Sequence, residues 1–283
     1  MNDFIFTAIL LFGSMAAGLL GALTGLGGGI VIVPLLSVGL GIPMKYAVAA
    51  SLISVIGTSS GSASGYVKEG ITNVRIGMFL EIATTIGAIL GALVVVYFNL
   101  PVAILGILFG CILMINAFLS LRKKGNHFIP LTPGSSADKL QLVGTYKDDD
   151  GITKPYAAQN VTGGFFVMML AGLLSGLLGI GGGAFKVLAM DNLMKLPFKV
   201  STTTSNFMIG VTAVASSLIY LLNGYIIPEI AAPVVIGVLI GSRIGGKLLM
   251  RLNTKILKII FFTIVSVLAV YMIYNGIRNA ITP

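Results

Sequence analysis

The chain has 283 residues, 56% of them hydrophobic and 10% charged, with a formal net charge of +9 and a mean hydropathy of +1.02. A soluble domain carries about 25% charged residues, so that class is excluded and an integral membrane protein is indicated. The Lys and Arg excess then reads as loops on one side of a bilayer and not as a nucleic-acid surface.

Apolar runs near the spanning length of about 20 residues occur near 4–24, 47–67, 76–98, 101–121, 161–180, 205–222, 226–248 and 256–275. The first, MNDFIFTAILLFG, lacks the cationic start of a signal peptide and continues past any cleavage site, so it reads as a mature helix. It closes on GLLGALTGLGGG, residues 18–29, where Gly27, Gly28 and Gly29 stand in a row. A short segment, 30–41, leads to a Pro-Lys turn, IPMKYAVAAS, which ends at Ser51. Glu81 falls inside an apolar run, which makes it a candidate either for carrying a proton or for a structural ion pair. The lone Cys111 excludes an intramolecular disulfide and fits a buried small hydrophobe. Residues 122–157 are polar: RKKGN, then LQLVGTYKDDDGITKPY, whose short runs either side of DDDG read as a hairpin or as a disordered loop.

Past that segment the chain repeats itself. GLLSGLLGIGGG at 172–183 restates 18–29 at an offset of 154 positions, from Gly18 to Gly172. The register holds without a gap for about seventy residues, pairing Pro43 with Pro197, Ser51 with Ser205, Thr58 with Thr212, Tyr66 with Tyr220 and Gly91 with Gly245. The organisation read from this is a first transmembrane repeat over 1–121, a cytoplasmic linker over 122–157 and a second repeat over 158–283. Such doubling is common among transporters. The expected fold is an all-α polytopic membrane protein of two homologous halves, each with a Gly-Gly-Gly-broken helix.

Segments 30–41 and 184–195 are short for a crossing. With four spans per half the halves are parallel; with five they are inverted. Five spans gather Lys68, Arg75, the central cations, Lys195, Lys199 and the Lys247–Lys258 cluster on one side, leaving Lys45 and Arg278 on the other. With four spans Lys195, Lys199 and the Lys247–Lys258 cluster move across and the asymmetry nearly disappears. The positive-inside tendency therefore favours inverted repeats, with the central segment cytoplasmic.

Backbone at membrane depth must bond internally unless it is buried in protein or lines a wet cavity. A glycine break frees amides and opens a new helix N-terminus of partial positive charge. The chemistry wanted there is an anion. Gly181, Gly182 and Gly183 form the second break, with Lys186 one turn into the next helix. LPFKVSTTTSN then supplies Thr204, Ser205 and Asn206 as donors, as Ser51 does in the first half. Competing readings are close helix packing for the glycines, with Gly87, Gly91, Gly241 and Gly245 as packing sites, a helix cap for the Thr-Ser cluster and snorkelling for Lys186. Arg243 lies near Lys247 and reads as an interfacial anchor. The G-x-G-x-x-A at Gly179, Gly181 and Ala184 mimics a dinucleotide fingerprint but follows an apolar run of spanning length, where that motif needs a βαβ unit.

GLLGALTGLGGG followed by Pro43 and Lys45, and GLLSGLLGIGGGAFKV followed by LPFKV and TTTSN, resemble the sulfite exporter TauE/SafE family over nearly the whole chain. That resemblance implies a multipass inner-membrane transporter of small sulfur-containing anions such as sulfite or sulfoacetate. It carries the family's glycine motifs onto Gly25, Gly27, Gly28, Gly29, Gly179, Gly181, Gly182 and Gly183, and its Thr-Ser signature onto Thr204 and Ser205. Two positions depart from the family pattern: Ala50 precedes Ser51 where a hydroxyl is usual, and Leu188 replaces a proline.

The function expected is a secondary transporter exporting a small oxyanion bound between the halves. The site is Gly27, Gly28, Gly29, Ser51, Gly181, Gly182, Gly183, Lys186, Thr204, Ser205 and Asn206, with Glu81 for proton coupling. An anion channel or a membrane protein without transport is the alternative. No catalytic constellation is visible: the single histidine, His127, lies in the central segment, and neither HExxH nor paired intramembrane aspartates occur. Neither cofactor nor metal is expected. The partners are a small anion and the lipid bilayer, with a homodimer left open and no nucleic acid.

Overall fold

Each triple-glycine run ends one helix and begins another. In the computed structural model, which describes residues 3–98, 107, 110–111, 114, 134–147 and 152–281, α1 (Asp3–Thr24) stops at the first run and a short α2 (Gly29–Pro34) starts on it. A wide π-helical turn over Leu35–Gly39 extends α2, followed by α3 (Met44–Lys68) and α4 (Val74–Phe98). A one-turn helix, α5 (Ser136–Lys139), precedes strands β1 (Val143–Lys147) and β2 (Thr153–Ala157), which pair antiparallel from Val143↔Ala157 to Lys147↔Thr153. The second half repeats the first: α6 (Val161–Leu178), α7 (Gly183–Leu188), a π turn over Ala189–Leu193, α8 (Phe198–Leu222) and α9 (Pro228–Arg251). Helix α10 (Thr254–Ile281) follows. Among the described residues six helices, α1, α3, α4, α6, α8 and α9, are long and apolar enough to cross a bilayer. Most of the 101–121 run, the RKKGN stretch, His127 and the DDDG turn lie outside the described residues.

The short segments do not form tilted crossings of their own, as a five-span half would have them. Gly21 lies against the backbone of Gly27 and Gly28, and Gly13 lies against Leu35, so α2 runs back along α1. Likewise Gly182 lies on Ala171 and Gly164 on Met194, while the Gln159 amide donates to Met194 O (2.9 Å). Each glycine run is thus the tip of a helical hairpin. The reversal uses left-handed backbone at Gly27 (φ +74°) and Gly181 (φ +71°), a conformation that a Cβ would strain. A returning hairpin leaves the chain on the side where it started, as two full crossings would. Equivalent helices accordingly run in opposite senses. Lys45 Nζ meets Tyr225 OH (3.5 Å) at one end of the α3–α8 pair, and the Asn73 amide donates to Thr204 Oγ1 (3.1 Å) at the other.

The halves interlock. α1 packs along α9, where Gly237, Gly241 and Gly245 face the backbone of Leu11, Met15 and Leu19. α6 packs along α4, where Gly87 and Gly91 face Met169 and Leu173, and Gly172 and Gly176 face Thr84 and Ala88. Small residues four apart let helix backbones approach closely in lipid. The central pair, α3 and α8, lies between these two, α3 against α9 and α8 against α4.

The strands sit at one end of the bundle. Asn73 Nδ2 donates to Val143 O (3.1 Å) and to Tyr156 OH (3.0 Å). Tyr146 and Tyr156 bury against a cluster that includes Ile76, Leu80, Met190 and Met194. Burial pushes the Tyr156 phenol pKa up, against a smaller lowering by the Asn73 bond. At this end lie Lys68, Arg75, Lys139, Lys147, Lys154, Lys195, Lys199 and Arg251; Lys45 lies at the other. Cys111, expected to be buried, is exposed: its neighbour Gly110 takes the packed position against Ala269 and Ile273.

Candidate functional site at the glycine breaks

The two hairpin tips meet between α3 and α8. A Cβ on Gly29 would stand 2.7 Å from Gly179 O, and one on Gly183 would meet Gly25 O. Serines on the central helices then tie each break to the other half. Ser51 Oγ donates to Gly179 O (2.5 Å), and Ser205 Oγ donates to Gly25 O (2.8 Å). These bonds are equivalents under the 154-residue offset. Each satisfies a carbonyl that the broken helix has stripped of its partner. Asn206 Nδ2 adds a bond to Ala22 O (2.9 Å), which also accepts from Tyr66 OH (3.1 Å).

The amides of the breaks are treated differently. In the first half the Gly28 amide donates to Thr58 Oγ1 (3.2 Å). In the second, Gly182 is left-handed (φ +66°), and the equivalent hydroxyl of Thr212 serves a charged pair instead. Lys186 Nζ, fully enclosed, donates to Thr212 Oγ1 and stands 3.6 Å from Glu81 Oε2. Thr212 donates in turn to Glu81 Oε1 (2.5 Å), which also accepts from Thr85 Oγ1 (3.2 Å). A hydroxyl has one proton to give; Met208 O, at 3.1 Å, and Thr84 Oγ1, at 3.4 Å, are further acceptors within reach of Thr212. Glu81 Oε2 has no hydrogen bond. Glu81 belongs to α4 of the first half, whereas Lys186 and Thr212 belong to the second, so the pair bridges the halves.

Gly27, Gly28, Gly29, Ser51, Gly181, Gly182, Gly183, Ser205 and Asn206 come together at or beside the crossing. Thr204 does not: it faces Gly77 and accepts from the Asn73 amide at the start of α4. Lys186 does not snorkel, because it has no exposed surface. Two further groups at the crossing carry unspent hydrogen-bonding capacity, Thr202 Oγ1 and Asn206 Oδ1, one turn apart on α8 and buried. The bridging role of Thr212 has no signature in the sequence beyond its pairing with Thr58.

The profile of the sulfite exporter TauE/SafE family matches residues 10–272. The chain belongs to the sulfite exporter TauE/SafE family. This TauE/SafE protein is 31% identical to probable membrane transporter protein YunE of Bacillus subtilis, over 95% of the chain and 98% of that relative. It is 28% identical to probable membrane transporter protein MJ0441 of Methanocaldococcus jannaschii, over 94% of each. Probable membrane transporter protein YfcA of Escherichia coli K12 is 22% identical over 95% of the chain and 90% of that relative. No solved structure matches. Family and helices together make this a multi-pass membrane protein of transporter type.

Proposed function

We propose that this TauE/SafE protein is a secondary transporter that exports a small oxyanion, of the kind of sulfite or a short organosulfonate such as sulfoacetate. The observation that carries the reading is a fully enclosed lysine, Lys186, held between the halves one turn beyond a crossing of two glycine breaks. A lysine at membrane depth costs roughly 2.5–3.5 kcal/mol even on the lenient insertion scale, and an anion is the ligand that a buried ammonium favours. The Thr202 hydroxyl and the Asn206 side chain supply uncommitted polar atoms beside the same crossing. Antiparallel equivalent helices support inverted repeats, which move by rocking one half against the other.

The cation excess at the strand end supports a cytoplasmic location for that end. With a negative interior, the membrane potential drives an anion outward by about 2.3 kcal/mol per charge per 100 mV. Uptake of radiolabelled sulfite and sulfoacetate into proteoliposomes tests the reading, with sulfate, acetate and lactate as competitors. Saturable uptake with counterflow, lost in Lys186→Ala, is expected. Uptake unchanged by the substitution removes Lys186 from the site, and no uptake of either anion removes the substrate class.

A further inference from the structure

A buried cation that already has an anionic partner cannot accept a second anion without consequence for the first. Lys186 has such a partner: Glu81, 3.6 Å away, is the charged group facing it among the described residues. We propose that anion binding at Lys186 is coupled to protonation of Glu81, so that substrate and one proton load the carrier together. This rests on the transport reading above.

The balance of charge gives the reason. Empty, the enclosed site holds one ammonium and one carboxylate and is neutral. A sulfonate oxygen bonded to Lys186 Nζ adds a negative charge beside Glu81, and two like charges sharing one cation in a low-dielectric site cannot both stay ionised. The substrate sulfonate is the weaker base, so the proton goes to the carboxylate. One O–H bond forms at Glu81 and one bond to hydrogen breaks in the water or buffer acid that supplies the proton, so the charge of the bound sulfonate is compensated at the pair. Protonation also has a place to occur, since Glu81 Oε2 faces the ammonium without a hydrogen bond. Thr212 can follow the change: its proton has Met208 O as a second acceptor, so leaving Glu81 strands nothing.

The other buried carboxylate of these elements, Asp191, lies on the π turn five residues past Lys186. α6, packed on α4, carries no ionisable residue. On α4 itself Arg75 is bound to Gln141 Oε1 (2.6 Å), and Tyr97 is at the opposite end. On α8, Lys199 and Tyr220 lie near the two ends of the helix. The groups touching the Glu81 carboxylate are Lys186, Thr85 and Thr212. Under the 154-residue offset the positions of Lys186 and Glu81 in the other half are Ile32 and Val235, so the device occurs once and one proton is expected per anion. Loading also bears on motion: a neutral Glu81 no longer holds α4 of one half to α7 of the other by charge.

Isothermal titration calorimetry of the purified wild-type protein with sulfoacetate, in two buffers of different ionisation enthalpy, counts the protons. Both acidic groups of sulfoacetate stay ionised from about pH 6 to 8, so any proton taken up belongs to the protein. One proton per anion is expected, with affinity falling about tenfold per pH unit. Glu81→Gln is expected to bind sulfoacetate with no proton uptake and no such slope. Wild-type binding without proton uptake overturns the coupling and leaves the transport reading intact. Absence of binding by both sulfoacetate and sulfite overturns the transport reading, and the coupling with it. Should Glu81→Gln fail to fold, the wild-type proton count still decides.

Discussion

The pocket around Thr58 and the pocket around Thr212 are equivalent positions of one frame, and they diverge at the charged pair and at Thr84 and Thr85, which correspond to Val238 and Leu239. Around Thr58, Ile32 of the first half and Val235 of the second hold the equivalent positions, and Thr58 closes its own glycine break through the Gly28 amide. Around Thr212, Lys186 of the second half and Glu81 of the first take those positions and recruit Thr212 away from its break. The scaffold tolerates either an apolar filling or an ion pair in the same frame. Packing therefore does not require the charges, because the twin pocket packs without them. The charged pocket is therefore the one to which we assign the proposed function.

The largest effect expected is from Lys186→Ala, which leaves Glu81 buried and unpaired at a cost of about 3–5 kcal/mol. Ile32→Val at the equivalent position is expected to cost about 0.5–1.5 kcal/mol, both read by thermal unfolding in detergent. The double variant Lys186→Ile with Glu81→Val replaces the ion pair by the residues that stand at the equivalent positions around Thr58. It should be close to wild type in stability, since exchanging a buried pair for fitted apolar groups is often neutral or stabilising by about 1–4 kcal/mol, and it should transport nothing. A double variant that still transports would dissolve the contrast between the pockets.

Next come the breaks themselves, where the halves should behave alike. Gly29→Ala and Gly183→Ala each drive a methyl into a carbonyl of the opposite break, and overpacking of that kind costs about 1–3 kcal/mol. Smaller still, Ser51→Ala and Ser205→Ala each remove one hydrogen bond worth about 0.5–1.5 kcal/mol. Equal losses in unfolding temperature are expected, and unequal ones would show that the two ties differ in the strength the pseudo-symmetry implies. Least perturbing is labelling: in a Cys111→Ser background, Gly41→Cys and Lys195→Cys should react with an impermeant thiol reagent from opposite faces of the membrane. Labelling of both from one face would break the antiparallel arrangement.

Much of this was legible because the chain is written twice. A 154-residue register turned each glycine run into a structural statement, and the serines that follow at the same spacing proved to bind the opposite break. Direction of the short segments was not legible, because length and hydropathy cannot distinguish a short crossing from a helix that doubles back. That depends on left-handed glycines, which a sequence does not display as conformations. The partnership of Lys186 with Glu81 had a usable sign. Both are charges placed in apolar runs where the other half has Ile32 and Val235, and opposite charges that break the same symmetry are candidates to meet. Thr204 misled for a local reason: among five adjacent hydroxyl residues on a helix, Ser201 to Ser205, successive side chains point different ways, and this one faces the start of α4.

The interlocking of α1 with α9 has a consequence during synthesis. The partner surface of Leu11, Met15 and Leu19 is made more than two hundred residues after them, at Gly237, Gly241 and Gly245. At about 5–20 residues per second, the nascent first helix waits roughly ten to forty seconds in the membrane for its mate. Neither half can mature as a folded unit on its own, and α4 waits in the same way for α6. A ribosome stalled anywhere before the last glycine of α9 holds an unfinished braid, with its seam still open to lipid.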